Sequence, residues 1–233
     1  MPLESNSQIL SVSDLTRYVE QECAKDFCLF RGQRRDKALL PRIALAGDKS
    51  DILAIEQVLF NEFVRRSRPF LEIRPDDPWD WLALAQHFGL TTRLLDWTDN
   101  PLAGLWFAVN GRPQNLDPGV LWVFRVPPED ILPPDYSGSP FEEKRTKVFR
   151  PRHITKRIAA QGGWFTVHKF MEEEKKFVPL EKNKSYKARL EKLIIPAASF
   201  SELRKQLNRF AVNAAALFPD LVGLCQHLNW SEF

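Results

Sequence analysis

The stretch at residues 86–109, QHFGLTTRLLDWTDNPLAGLWFAV, constrains this chain more than any other. Its first fifteen positions carry one His, one Arg, two Asp, one Trp and three Thr, groups that are costly to bury without partners. An apolar run starting at Pro101 follows. Asp99 or Asn100 can serve as N-cap, and Pro101 suits a first helical turn because its missing N–H is not needed there. Leu102, Leu105 and Trp106 then recur at helical spacing. A polar loop is therefore expected to feed the N-terminus of a buried helix, where free N–H groups and the helix dipole favour an anionic ligand. The alternative is a structural Arg93–Asp96 pair that only pins the loop.

The chain has 233 residues, 44% of them hydrophobic and 12% aromatic, enough for one large domain with a real core. Cys23, Cys28 and Cys225 form no even framework and no metal-ligand spacing. With no secretory leader pattern they read as free thiols in a reducing cytoplasm. No apolar run approaches the roughly 20 residues that span a bilayer, so a soluble protein without a membrane partner is expected. The net charge of +3 is small, but the positive charge is clumped at 31–35, at Arg65, Arg66 and Arg68, and at 144–157.

The spacing predicts a first helix capped by Ser13 with Leu15, Tyr18, Val19 and Cys23 on one stripe. Phe27 to Phe30 reads as a short buried strand ending at Arg31-Gly32. An arginine there, followed by a glycine that permits close backbone approach, suits a phosphate or ribose contact; pairing of Arg31 with a carboxylate is the plainer reading. Residues 50–71 form an amphipathic helix capped by Ser50 or Asp51. Ile52, Ile55, Leu59, Phe60 and Phe63 face inward, and no chemistry is assigned to it. A second helix runs from about Pro78 to Phe88 and stops at Gly89, with Gln86 and His87 in its last turn. His87 is a candidate general base, or else a histidine satisfied by a backbone carbonyl.

Further on, residues 119–126 alternate as a strand, and residues 127–147 suggest an exposed, partly mobile loop. Gln161-Gly162-Gly163 turns into a strand with Trp164, Phe165 and Val167. The charged residues 171–187 read as a solvated surface loop or helix. Leu193–Ile195 is a strand, and a helix with Leu203, Leu207 and Phe210 inward follows. The closing helix docks Leu221, Leu224, Cys225 and Leu228. The order gives an α+β fold, a single mixed domain with a central β core packed by several helices. No phosphate-binding glycine loop, GxSxG elbow or HExxH is present, and the histidines at 87, 153, 168 and 227 lack metal-like spacing, so no metal is expected.

Phe30-Arg31-Gly32, the block at 86–108, the Gln161-Gly-Gly-Trp-Phe segment and the closing KLIIP, LFPDL and LCQHL runs together resemble the FRG-domain family over roughly residues 25–230. That resemblance implies little chemistry. Such domains occur in bacteria and their phages, sometimes near defence or toxin genes, so a toxin or phage-defence effector with an inhibitory partner or antitoxin is an expectation.

A more distant resemblance, to ADP-ribosyltransferases of the Arg–Ser–Glu type, implies a split sheet and NAD as substrate. Arg31 would hold the NAD phosphates or ribose, and Thr98 the nicotinamide-side ribose. Gln161 would sit where those enzymes carry a glutamate. Because glutamine cannot stabilise positive charge or act as a base, the acid would come from Asp96, Asp99 or Glu172–Glu174, or the fold binds a nucleotide without turnover. The catalytic set implied is Arg31, Thr98, Gln161 and Asp96. The substrate-binding set is Gly32, Gln33, His87, Thr92, Arg93, Trp97, Asn100 and Phe165. An ADP-ribosyltransferase or NAD glycohydrolase requires Arg31, Thr98 and Gln161 to converge in one cleft.

Two other readings compete. A nucleic-acid-binding module or nuclease requires Arg34, Arg35, Lys144, Arg145, Arg150, Arg152 and Lys156 on one face, and scattering of those groups would remove it. The transferase and nucleic-acid readings can coexist, because a transferase that modifies nucleic acid would need the same basic rim; a protein is the other possible acceptor. The last reading is a non-catalytic sensor or partner-binding protein in which the TRLLDWT block at 92–98 is purely structural.

Overall fold

The computed structural model describes residues 8–46, 51–111, 116–152 and 155–232. Ser50 and His153 fall outside them. The eight described helices are α1 (Val12–Glu22), α2 (Ile52–Ser67), α3 (Pro78–His87), α4 (Pro101–Val109), α5 (Lys156–Ala160), α6 (Phe200–Arg209), α7 (Ala214–Leu217) and α8 (Leu221–Glu232). The strands are β1 (Cys28–Gln33), β2 (Leu94–Thr98), β3 (Gly119–Arg125), β4 (Lys147–Phe149), β5 (Gly163–Val167), β6 (Phe170–Met171), β7 (Lys176–Phe177) and β8 (Leu190–Ile195). Six strands form one antiparallel sheet in the order β4-β5-β2-β1-β3-β8, and β6 and β7 make a separate hairpin. The α+β architecture with a central sheet packed by helices is thus the observed one.

Strand alternation sorts the core into faces. Phe30 and Thr98 are register partners, so Phe30, Leu94, Phe165 and Val167 share one side of the sheet. On that side α1, α4 and α6 cover one half, with Phe30, Val123 and Leu193 beneath them. The helices α2 and α3 cover the other half, with Leu94, Phe165 and Val167 beneath. The opposite side holds Leu29, Leu95, Trp97, Val120, Trp122 and Phe124. It is covered by irregular segments that contribute the fully buried Leu39, Leu180 and Tyr186.

The two halves of the sheet meet at a weak seam. β1 makes six residue pairs with β3, and β2 makes five with β5, but β1 and β2 share only Phe30–Thr98. Past that pair the strands part, and the cleft described below opens there. α4 is what holds β1 in place. A Cβ on Gly32 would lie 2.0 Å from the Gly104 carbonyl oxygen and 2.5 Å from the Ala108 nitrogen. Only glycine lets the helix backbone lie directly on the strand. Gly32 therefore serves helix-on-strand packing, and the strand continues through Arg31 and Gly32 to Gln33 rather than ending at them.

Several local expectations are corrected. Ser11, not Ser13, caps α1, in a reciprocal box with Asp14. The 91–98 segment is not a loop: Leu94–Thr98 is a strand near the middle of the sheet. In α2, Leu59 is exposed, whereas Glu56 is buried beside Phe60. In residues 171–187 the charged positions 172–176 are exposed as expected, but the segment forms the hairpin β6–β7 and buries Phe177, Leu180 and Tyr186. Residues 127–147 are tied down at Asp130, which is fully buried and bonds Arg145 and Lys147. Phe210 is exposed, and α8 leaves Leu221, Val222, Leu224, Cys225 and Leu228 exposed rather than docked. No described helix is long and apolar enough to cross a membrane.

Candidate functional site

A cleft of about 460 Å³ opens at the β1–β2 seam and is lined by Phe30, Arg31, Gly32, Arg42, Gln86, His87, Asp96, Trp97, Thr98, Phe107, Arg157, Gln161 and Phe218. Arg31, Thr98, Gln161 and Asp96, from three separate parts of the sequence, therefore share one cavity, joined by Gly32, His87 and Trp97. Other cavities exist, at Trp106–Arg204–Trp230 and at Phe141–Lys169–Glu172, but neither gathers these residues.

Arg31 bridges the parted strands. Its Nη1 donates to the Asp96 carbonyl at 2.7 Å, where a ladder hydrogen bond would otherwise run, and lies 3.8 Å from the Asp96 carboxylate. Burial lowers the Arg31 pKa from its ordinary value, opposed by the Asp96 charge. The guanidinium stays cationic because it starts so high. The Nε atoms of Arg31 and Arg157 are both buried and make no hydrogen bond among the described residues. Such donors are uncommon and cost about 1–3 kcal/mol each. Arg157 is otherwise held by Asp220 at 2.8 Å and lies 4.8 Å from the Phe218 ring centre. Arg42 donates to the Gly89 carbonyl at 3.0 Å, made reachable by the turn at Gly89, whose φ is +93°.

Thr98 and Gln161 line the cleft with part of their hydrogen-bonding capacity committed. The Thr98 hydroxyl donates to the Gln161 carbonyl at 2.5 Å and accepts from the Asn100 N–H at 3.0 Å. The Gln161 amide donates to the Leu217 carbonyl at 3.1 Å. Asp99 completes this brace: its N–H donates to the Gly162 carbonyl, and its carboxylate accepts from Trp164 Nε1. The turn at residues 161–163 is thereby welded to the start of α4.

His87 sits at the end of α3, its Nε2 3.5 Å from Thr155 Oγ1. Burial, and then the Arg157 charge, lower its pKa, so the imidazole is neutral at pH 7. Gln86 bonds the Asp96 carboxylate at 3.2 Å and accepts from the Thr92 hydroxyl at 2.6 Å. Behind the cleft, Trp97 Nε1 donates to Thr166 Oγ1 at 3.1 Å, and Thr166 contacts His168 Nε2 at 3.1 Å. His168 is buried, and burial with the nearby Arg31 charge pushes its pKa down to about 3.

The remaining expected residues do not line the cleft. Arg93 does not pair with Asp96: its Nε and Nη2 bind Glu56 Oε2 at 2.9 and 2.6 Å, and its N–H donates to Glu56 Oε1. The two side chains are 5% and 1% exposed. Thr92 is buried, and Phe165 is stacked on Phe149. Asn100 caps α4 by accepting from Leu102 and Ala103. Gln33 accepts from Trp122 Nε1 in a neighbouring groove. Conversely, Arg42, Gln86, Phe107, Arg157 and Phe218 line the cleft although the sequence did not single them out for it. Arg157 stood only within a basic run, and nothing local marks Arg42 or Phe218.

Several of the basic residues are held by carboxylates in separate parts of the fold. Arg35 pairs with Asp117, just before β3, and Arg145 with Asp130, beyond its other end. A seven-residue strand, about 20 Å, separates them. Arg152 is bound to Asp77 and Asp80 at the start of α3. No group of three or more His, Cys, Asp or Glu among the described residues can hold a metal ion.

No curated protein and no solved structure is significantly similar to this chain. The family model of the FRG domain matches residues 26–116, less than half of the chain, running from β1 through α4 and leaving out Arg157, Gln161 and Phe218. Residues 26–116 are therefore an FRG-domain region.

Proposed function

We propose that the cleft binds a pyrophosphate-bearing nucleotide and that the protein consumes NAD. One observation carries this reading: Arg31, Arg42 and Arg157 converge on a cavity in which Asp96 is the only carboxylate among the lining residues. Three guanidiniums favour phosphate oxygens, which they can meet two bonds at a time. Phe107 and Phe218 supply an apolar wall for a base or a nicotinamide ring.

In this reading the N-glycosidic bond breaks, nicotinamide leaves with the bonding electron pair, and positive charge develops on the ribose. The Asp96 carboxylate stabilises that charge, as carboxylates do at other glycosidic centres. Water or an acceptor nucleophile then bonds the ribosyl carbon, and neutral His87 accepts its proton. The Thr98 hydroxyl proton and one Gln161 amide N–H are used within the protein, whereas the Gln161 amide keeps further donor and acceptor capacity for a ribose hydroxyl.

Because the side chain at Gln161 is neutral, a second reading is a nucleotide sensor without turnover. Incubation with NAD and mass-spectrometric detection of nicotinamide separates the two. Release by the wild type that falls at least a hundredfold in Asp96→Asn supports the enzyme. NAD binding without release supports the sensor. Neither binding nor release removes both.

A further inference from the structure

The cleft does not end at Arg31. A second groove, about 320 Å³, is lined by Arg31, Gly32, Gln33, Arg34, Arg35, Lys37 and Phe107. It shares Arg31, Gly32 and Phe107 with the cleft, so the two adjoin at these residues. We propose that this groove is a phosphomonoester subsite, and that the ligand of the cleft is a dinucleotide with a third phosphate on its adenosine ribose, of the NADP type. The proposal rests on the nucleotide reading of the cleft.

Charge counting favours the extra phosphate. In the cleft Asp96 lies beside Arg31 and Asp220 binds Arg157, so Arg31, Arg42 and Arg157 have no charge to spare beyond a pyrophosphate. The groove adds Arg34, Arg35 and Lys37 with no carboxylate among its lining residues, and Asp117, which pairs with Arg35, offsets one of those three positive charges. The nearby acids are engaged: Asp117 by Arg35, and Asp36 by Lys192 at 2.8 Å. A phosphomonoester brings nearly two negative charges at neutral pH, which this surplus matches.

The groove is also built, not a chance clump. Gln33 Oε1 accepts from Trp122 Nε1 at 3.1 Å and from the Lys37 N–H at 3.4 Å, folding residues 34–37 back over the strand end. Lys192, which holds Asp36, lies 4.8 Å from the Trp122 ring centre. Arg34 is seated on Gly111, where an added Cβ would come within 2.8 Å of its Nη1. Two cavities of about 460 and 320 Å³ lie in the range of ligand pockets, and together they suit an extended dinucleotide.

The test is calorimetric titration of the full chain with NAD and with NADP, for the wild type and Arg34→Ala/Lys37→Ala, with thermal melts to check folding. The subsite predicts that wild type binds NADP at least tenfold tighter than NAD. In the double variant that preference collapses while NAD affinity stays unchanged. The preference should also shrink as ionic strength rises. Equal affinity for the two dinucleotides in wild type overturns the subsite and leaves the cleft reading standing. Binding of neither overturns both. An eight-nucleotide single strand that binds wild type but not the double variant, without any NADP preference, would reassign the groove to a nucleic-acid acceptor.

Discussion

Replacing Arg93 by methionine should destabilise the fold without touching the cleft. Arg93 Nε and Nη2 both donate to Glu56 Oε2, at 2.9 and 2.6 Å, and the two side chains are nearly out of contact with water. The guanidinium also donates to the Phe141 carbonyl and lies 5.1 Å from the Phe141 ring centre. Removing one member of such a pair leaves a buried charge uncompensated, at a cost of about 3–5 kcal/mol. A domain is stable by only about 5–15 kcal/mol, so the variant approaches the edge of folding. In urea, with a slope near 3 kcal/mol per molar, the midpoint should fall by about 1–1.7 M. The double variant Arg93→Met/Glu56→Gln keeps an acceptor for the Arg93 N–H but removes the stranded charge. It should therefore be more stable than Arg93→Met alone. A single-variant cost below about 1 kcal/mol, the value of an exposed pair, would refute the reasoning. So would a double variant no more stable than Arg93→Met.

Two further outcomes follow from packing and protonation. Gly32→Ala should cost at least about 3 kcal/mol, beyond ordinary overpacking, because its Cβ would meet helix backbone and not side chains that can move. Gly104→Ala should be milder, since its Cβ would first meet the Leu121 side chain and Phe30 Cβ at 2.9 Å; equal costs in denaturant melts would contradict the account of how α4 sits on β1. His168, with its folded pKa near 3 and an ordinary value near 6.5, binds a proton in the unfolded chain first. Its neutral form thus supports the fold above about pH 6.5, and that support is lost as pH falls from there toward 3. The loss between pH 7.5 and 5 is about 2 kcal/mol. His168→Asn should flatten that slope in urea melts repeated across this range, and an unchanged slope would sink the assignment.

What the sequence made legible was whatever is local. The N-cap and proline of α4, the stop at Gly89 and the alternation of β3 all depend on residues within a few positions of one another. β2 was misread as a loop because its polar residues find partners far away: Thr98 with the Gln161 carbonyl, Trp97 with Thr166. Arg93, just before the strand, likewise depends on Glu56, 37 residues earlier. No periodicity reveals such partners. The convergence of Arg31, Thr98 and Gln161 was expected from the order of motifs. The bonds from Thr98 to the Gln161 carbonyl and from the Gln161 amide to the Leu217 carbonyl were not, because they depend on how residues 161–163 dock on the head of α4. The exposed apolar residues of α8 invert a pattern that reads as a core stripe.

The central claim is that the ligand sits in the cleft at the β1–β2 seam and not elsewhere in the FRG-domain region. Calorimetric titration of NAD into wild type, Arg31→Ala, Arg157→Ala and Arg93→Met/Glu56→Gln tests it most directly, with melts confirming that each is folded. The account predicts at least a tenfold weaker affinity in both cleft variants and wild-type affinity in the buried-pair variant. No binding by the wild type, or equal weakening in the buried-pair variant, would contradict it.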